Sequence, residues 1–229
     1  MNESSGILLE GLNILRKNNA EIDNLLAPSV VPLLNRYINE IETFNPAYGL
    51  VGTNDRNELV IKHILDSLAP LGIIYNLLKT KNESIADAGS GAGLPGIPLA
   101  IALQKCSFTL IERMGRRAGF LLNTKAVLSL SNINIEEKEL EKASGKFDLI
   151  TFRAFKPLDS KLLKTLFKLC APAGHIAAYK GRREKIEAEM KPLQADWQII
   201  PCQVPFLDEE RHLLVIKKEL LNPSSAQGA

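Results

Sequence analysis

Cysteine is scarce in this chain. Cys106, Cys170 and Cys202 are odd in number, far apart and form no C-x-x-C pair. That argues against a disulfide framework and against a thiolate zinc site, so no metal is expected and the thiols read as buried and reduced. No stretch is long and uncharged enough to span a bilayer. Residues 1–20 combine neither a basic start with an apolar run nor a small-residue cleavage site, so a cytoplasmic protein is expected. Aromatic residues are 6% of the chain and nowhere gather into an aromatic-rich binding module. Internal repeats and low-complexity blocks are absent. The net charge of +2 does not by itself call for a polyanionic partner. Its distribution is uneven: residues 1–80 hold six Lys/Arg against nine Asp/Glu, and the remainder 22 against 17.

What is present suits one main domain with a small appendage: 229 residues, 45% of them hydrophobic. Leu8, Leu12, Leu15, Ile22, Leu25, Leu26, Leu33, Leu34, Tyr37, Ile38, Ile41 and Phe44 recur at helical spacing. Breaks near Asn18-Asn19, Pro28 and Pro32 divide them into two or three helices, the last able to start at Pro32. Asn45 to Leu50 reads as a turn-rich connection, and Glu58 to Leu68 as a further helix carrying His63. Residues 1–70 are thus expected to form a helical cap and connection, 71–221 the main domain, and the Ser/Pro/Gly-rich tail 222–229 to be disordered.

The centre of the main domain is the stretch from Ser84 to Ile101, which reads as a buried strand, a glycine-rich turn and an apolar helix. Backbone without Cβ atoms turns sharply, and the N–H groups opening a helix lack intrahelical partners, so such a turn suits a nucleotide-type ligand. Gly91-Ala92-Gly93-Leu94-Pro95-Gly96 fits the dinucleotide pattern G-x-G-x-x-G, a common coincidence. The fuller run Asp87, Gly89, Gly91, Gly93 resembles the first motif of methyltransferases that use S-adenosylmethionine. A carboxylate at Asp87 suits a cationic ammonium and sulfonium and would repel a pyrophosphate. The competing reading makes Asp87 a helix cap on an ordinary turn.

Ser107 to Glu112 is a second strand ending in an acid, at the position where nucleotide-binding folds grip a ribose, which makes Glu112 the candidate ribose ligand. Met114 to Leu130 reads as a helix opening on Arg113, Arg116 and Arg117. Cations there oppose the helix dipole, as on a solvated surface or a phosphate-contacting patch. Strands are expected at Asn132–Ile135, Phe147–Phe152, Gly174–Tyr179, Trp197–Gln203 and Arg211–Lys217, with helices near Ser160–Leu169 and Arg183–Gln194. This alternation predicts an α/β fold with a seven-stranded, mostly parallel sheet closed by a hairpin with a short connection, the Rossmann-like layout of class I methyltransferases.

Four ordered stretches carry a closer likeness. They are Asn45-Pro46-Ala47-Tyr48 with Arg56 to Leu68, Asp87 to Pro98, Phe147 to Phe155, and Val204 to Lys217, with Phe108 to Leu121 as a weaker fifth. Together they resemble the bacterial small-subunit ribosomal RNA guanine-N7 methyltransferases, long called glucose-inhibited division protein B. The resemblance implies S-adenosylmethionine as cofactor and 16S ribosomal RNA, within the assembled small subunit, as partner. It also implies that Gly89 and Leu94 line the cofactor, that Leu140 and Glu141 bracket its adenine, and that Arg153 closes the pocket. The chain departs from the family pattern at Gly49-Leu50-Val51, where relatives have Asn-Leu-Thr, and at Gly119, where a basic residue is frequent.

Guanine N7 carries an in-plane lone pair and attacks a methyl group without losing a proton, so no general base is expected, and the chain offers no obvious His-carboxylate pair. Arg116, Arg117, Lys180, Arg182, Arg183 and Arg211 are candidates for RNA phosphates, and His212 for the base or cofactor. The place of the Asp/Asn-Pro-Pro-aromatic motif of exocyclic-amine enzymes reads Arg153-Ala154-Phe155-Lys156-Pro157, and the Pro201-Cys202 dipeptide used by some cytosine C5 enzymes lies in a C-terminal strand. Alternatives are a non-catalytic ribosome-assembly factor that binds the cofactor, an NAD-dependent oxidoreductase and a small-molecule methyltransferase. Turnover on RNA, cofactor identity and an enclosing aromatic cap, respectively, would discriminate them.

Overall fold

The computed structural model describes residues 3–78, 80 and 83–218, so the tail 222–229 lies outside the described residues. Seven strands alternate with helices: β1 (Ser84–Ala88), β2 (Ser107–Glu112), β3 (Ile133–Glu137), β4 (Phe147–Arg153), β5 (Cys170–Lys180), β6 (Asp196–Pro201) and β7 (His212–Lys217). Their spatial order is β3-β2-β1-β4-β5-β7-β6. The first five run parallel, and β7 lies antiparallel between β5 and β6. The closing hairpin is therefore present, although ten residues, 202–211, join its strands where a short connection was expected.

Side chains alternate between two hydrophobic layers with the period of a pleated sheet. On β7, Leu213 and Val215 join one layer, and Leu214 and Ile216 the other. Ala177 and Tyr179 of β5 face the first, Ile176 and Ala178 the second. The first layer is covered by α1 (Glu3–Asn18) and α2 (Val30–Tyr48) together with residues 56–77 and the helices that follow β1 and β2. The N-terminal helices thus share one continuous core with the sheet. Among the described residues, no helix is long and apolar enough to cross a membrane.

Two expectations in the N-terminal region need correction. Asn45 to Tyr48 is not a turn but the last turn of α2, which ends at Gly49 in the left-handed conformation (φ 58°) with its N–H on Asn45 O at 2.9 Å. The turn-forming bonds come from the Asn45 side chain instead: Oδ1 accepts from Val51 N, and Nδ2 donates to Thr53 O, each at 2.9 Å. The helix also begins at Val30, two residues before Pro32. Gly49 in place of the family's Asn keeps a residue suited to positive φ. Gly119 is on an exposed face, with nothing within 4 Å of a Cβ placed there.

The helix expected over Glu58–Leu68 starts earlier and is not uniform. It runs as α3 (Arg56–Leu59), a π-helical stretch Val60–Leu65 and α4 (Asp66–Leu68), capped by Asp55 Oδ1 on Glu58 N at 2.7 Å. Such π segments occur often where a helix presents functional side chains. Here the segment faces the carboxyl end of β4.

Candidate functional site

The carboxyl ends of the parallel strands carry the site, as expected for an open α/β sheet. After β1 the chain turns back on itself, and Gly89 N and Ser90 N both donate to Ile111 O, at 2.9 and 3.1 Å. Gly89 has φ +69°, and a Cβ there would stand 2.1 Å from Phe155 Cδ2, so both conformation and space require glycine. The loop is held from beneath by α2, whose buried Tyr37 hydroxyl donates to Ala92 O at 2.6 Å. It continues into α5 (Gly96–Ala102).

Asp87, expected to contact a cofactor's cations, lies buried beneath the loop. It is 0% exposed and lines neither cavity described below. Its Oδ2 accepts from Gly96 N at 3.2 Å, and its Oδ1 from Thr151 Oγ1 at 3.1 Å. Burial pushes this carboxyl up to about 6, against hydrogen bonds from Ser90, Thr151 and Gly96 that pull it down. Its Oδ2 thus meets the amide that opens the following helix. Gly93 is likewise internal: a Cβ there would meet Ile97 Cδ1 at 2.5 Å, and the residue borders neither cavity.

Two cavities meet at Gly89, Ala154 and Phe155. The smaller, of about 710 Å³, is bordered by Ile111, Glu112, Leu140 and Glu141. Glu112 is oriented by two backbone donors, Gly91 N on Oε2 and Met114 N on Oε1, both at 2.8 Å. Each carboxylate oxygen keeps a second lone pair. Leu140 is buried in a single 3-10 turn, Leu140–Lys142, while Glu141 is exposed and paired with Lys156 Nζ at 3.2 Å. An acid beside the apolar Ile111 and Leu140 fits a nucleoside, whose diol donates hydrogen bonds and whose base is flat and apolar on its faces.

The larger cavity, of about 1210 Å³, is bordered by Gly91, Leu94, Arg117, Arg153, Lys180 and Arg211, among others. Arg153, at the end of β4, donates through Nη1 to Asp66 Oδ2 at 2.8 Å, and its Nη2 lies 3.1 Å from His63 Nδ1. Arg211 Nε donates to the other oxygen of Asp66 at 3.1 Å, and its Nη2 to Glu209 at 2.9 Å. Lys180 is bound by both oxygens of Glu189, at 2.8 and 2.7 Å. Arg117 reaches Gly49 O at 3.4 Å, while its Nε is buried without a protein partner.

Of the remaining sequence candidates, Arg182 is exposed and borders this cavity, and Arg183 pairs with Glu187 at 3.4 Å. Arg116 is exposed, borders neither cavity and lies over the Tyr48 ring at 5.7 Å. His212 Nδ1 donates to Gly181 O at 2.6 Å. The Cys202 thiol donates to Ile200 O at 3.6 Å, and burial pushes it up to about 12, which leaves it without nucleophilic thiolate. Burial, then Arg153, lowers His63 to about 4.

Asp66 is the main functional candidate that sequence reasoning missed. The signal available was its spacing of three from His63, which puts both on one helix face.

A family model described as GidB, rRNA small subunit methyltransferase G, matches residues 31–214. A curated protein of Treponema denticola named ribosomal RNA small subunit methyltransferase G is 42% identical over 246 aligned residues, covering 94% of this chain and 95% of the relative. A protein of the same name from Francisella tularensis is 34% identical and covers 90% of this chain and 97% of its own length. Among solved structures, a magnesium protoporphyrin IX methyltransferase from Synechocystis with bound SAM superposes with a TM-score of 0.55 at 14% identity, covering 80% of this chain and 97% of that one. At that identity the likeness concerns the fold.

Proposed function

The chain belongs to the GidB family, rRNA small subunit methyltransferase G, and on that premise we propose that it transfers the methyl group of S-adenosylmethionine to N7 of a guanine in a loop of 16S ribosomal RNA. The observation that carries this reading is the commitment of Asp66, Glu189 and His63 Nδ1 on the wall of the larger cavity. His63 Nδ1 is taken by Arg153, Asp66 by two arginines, and Glu189 by Lys180. A reaction that must first remove a proton would find these acids and His63 Nδ1 already engaged, whereas N7 already presents its lone pair. What remains for these residues is orientation of the base and exclusion of water.

Bound S-adenosylmethionine supplies an electrophilic methyl group on sulfonium sulfur. In the proposed arrangement Glu112 accepts hydrogen bonds from its ribose hydroxyls, and Leu140 and Glu141 flank its adenine. Gly89 stands where the cavities meet, Gly91 and Leu94 border the larger one, and Arg153 closes the far side. Asp87 and Gly93 support the loop from within. Arg117, Lys180, Arg182 and Arg211 face the RNA from the rim, with Arg116 as an outer contact. Residues 1–70 act as a cap on the methyltransferase unit of 71–221.

Double-helical RNA hides N7 in a deep, narrow major groove, so the target is a loop or distorted segment. The proposed working substrate is the assembled small subunit in the cytoplasm, whose surface supplies the contacts that the chain's modest charge excess does not. The test is mass mapping of methylated guanines after incubation with S-adenosylmethionine and small subunits that lack the modification. A single new N7-methylguanine in a small-subunit loop is expected. Cofactor binding with no methyl transfer to any guanine would overturn the catalytic reading and leave the fold untouched.

A further inference from the structure

His63 stands on the π-helical stretch with its ring at the larger cavity, half-buried. Its Nδ1 lies 3.1 Å from Arg153 Nη2. A guanidinium has only donors, so Nδ1 must be the acceptor, and the ring's single hydrogen sits on Nε2. The guanidinium cannot turn away, because Asp66 Oδ2 at 2.8 Å and Lys62 O at 3.4 Å hold its other nitrogen. Asp66 is in turn held by Arg211. The side chain thus presents one N–H of fixed position and no charge, and among the described residues Nε2 has no protein hydrogen-bond partner. His212, on the same wall, is oriented the other way, with Nδ1 donating to Gly181 O.

The surrounding donors are mostly cations: Lys62, Arg117, Arg153, Lys180, Arg182 and Arg211. An uncharged donor among them has a specific use. On the edge that carries N7, guanine offers the acceptor O6, where adenine offers an N6 amine donor. A neutral N–H satisfies O6, faces an unpairable donor in adenine, and adds no repulsion as the purine becomes cationic on methylation.

We propose that His63 determines the base specificity of methyl transfer by donating its Nε2–H to O6 of the target guanine. Asp66 is a positioning residue for this contact, acting through Arg153. The inference rests on the guanine-N7 reading above and adds the group that selects the base.

The test uses small subunits reconstituted with RNA carrying either guanine or 2-aminopurine at the mapped position. 2-Aminopurine keeps N7 and lacks O6. Wild type is expected to favour guanine, and His63→Ala to lose about tenfold in kcat/KM on guanine with little change on 2-aminopurine. Comparing the two variants cancels the intrinsic reactivity of each N7. His63→Gln, whose amide offers an N–H at similar reach, should recover part of the preference. Should His63→Ala fail to fold, His63→Phe keeps the ring volume, removes both nitrogens and should show the same loss. Equal losses on both bases, or a tenfold weaker cofactor Kd in the variant, would assign His63 to architecture or to the cofactor and overturn the proposal. A wild type that methylates neither base defeats the guanine-N7 reading first and the inference with it, whereas an active wild type whose preference survives His63→Ala defeats the inference alone.

Discussion

Asp87 Oδ2 accepts the N–H of Gly96 at 3.2 Å, and glycine is required there because a Cβ on residue 96 would stand 2.7 Å from that same oxygen. The carboxylate therefore joins the end of β1 to the start of α5 across the glycine loop. With Asp87 fully buried and its pKa raised from 3.8 to about 6, the folded state binds a proton more tightly than the unfolded chain. The contribution is fully present below the unfolded pKa of 3.8 and is lost as pH rises through about 6. Relative to Asp87→Asn, which keeps the shape and removes the titration, wild type should lose on the order of 3 kcal/mol between those limits. Urea unfolding of both proteins at the two ends of this window measures it. Parallel pH dependence would show that Asp87 does not titrate in the window.

Tyr37 links the cap to the same loop. Its hydroxyl, on a residue 0% exposed, is bonded to Ala92 O, and Phe at this position leaves that carbonyl unpaired. Tyr37→Phe should cost about 1–2 kcal/mol of stability, read from denaturant midpoints, and should weaken S-adenosylmethionine binding in calorimetry. Lost stability with unchanged cofactor affinity would mean that the loop keeps its shape without this tie.

The carboxylate of Asp66, 6% exposed, serves Arg153 and Arg211, which are 14% and 23% exposed. Removing it leaves two guanidiniums facing each other in a poorly solvated place. Asp66→Ala should therefore destabilise the chain by about 3 kcal/mol, and Asp66→Asn by less, since an amide oxygen still accepts one hydrogen bond. Thermal or urea unfolding decides this. A change within the range of an ordinary surface substitution would show that the three charges are better hydrated than their burial suggests.

Much of this architecture was readable in the chain because it depends on local pattern. The glycine turn, the acid closing β2 and the alternation of strands and helices each lie within a few consecutive residues. Asn45 to Tyr48 misled because Asn and Pro signal turns, whereas here the Asn45 side chain ties the loop while its backbone stays helical. Asp87 was readable in part. Its position beside the glycines was legible, but the direction of its side chain depends on Thr151, 64 residues away. The Asp66 cluster was out of reach for the same reason: its partners lie 87 and 145 residues along the chain. Only the folded sheet brings them to one wall.

The commitment of the wall residues has a kinetic consequence. His63 sits near 4, Cys202 near 12, and burial drives Tyr179 well above its ordinary value of 10. None of the three changes protonation between about pH 6.5 and 8.5. Methyl transfer to an N7 lone pair removes no proton, so single-turnover rates with saturating cofactor and small subunits should be flat across this range. A slope near one logarithmic unit per pH unit on the acid side would reveal a general base and sink the proposed chemistry. Cys202→Ser should leave the rates unchanged, since a thiol this weakly acidic offers almost no nucleophile at neutral pH. Loss of transfer in that variant, with folding intact, would instead point to a covalent route through Cys202. The two measurements separate mechanisms that the fold alone does not distinguish, because the same sheet and loop also position cofactor for acceptors that must be deprotonated or attacked covalently.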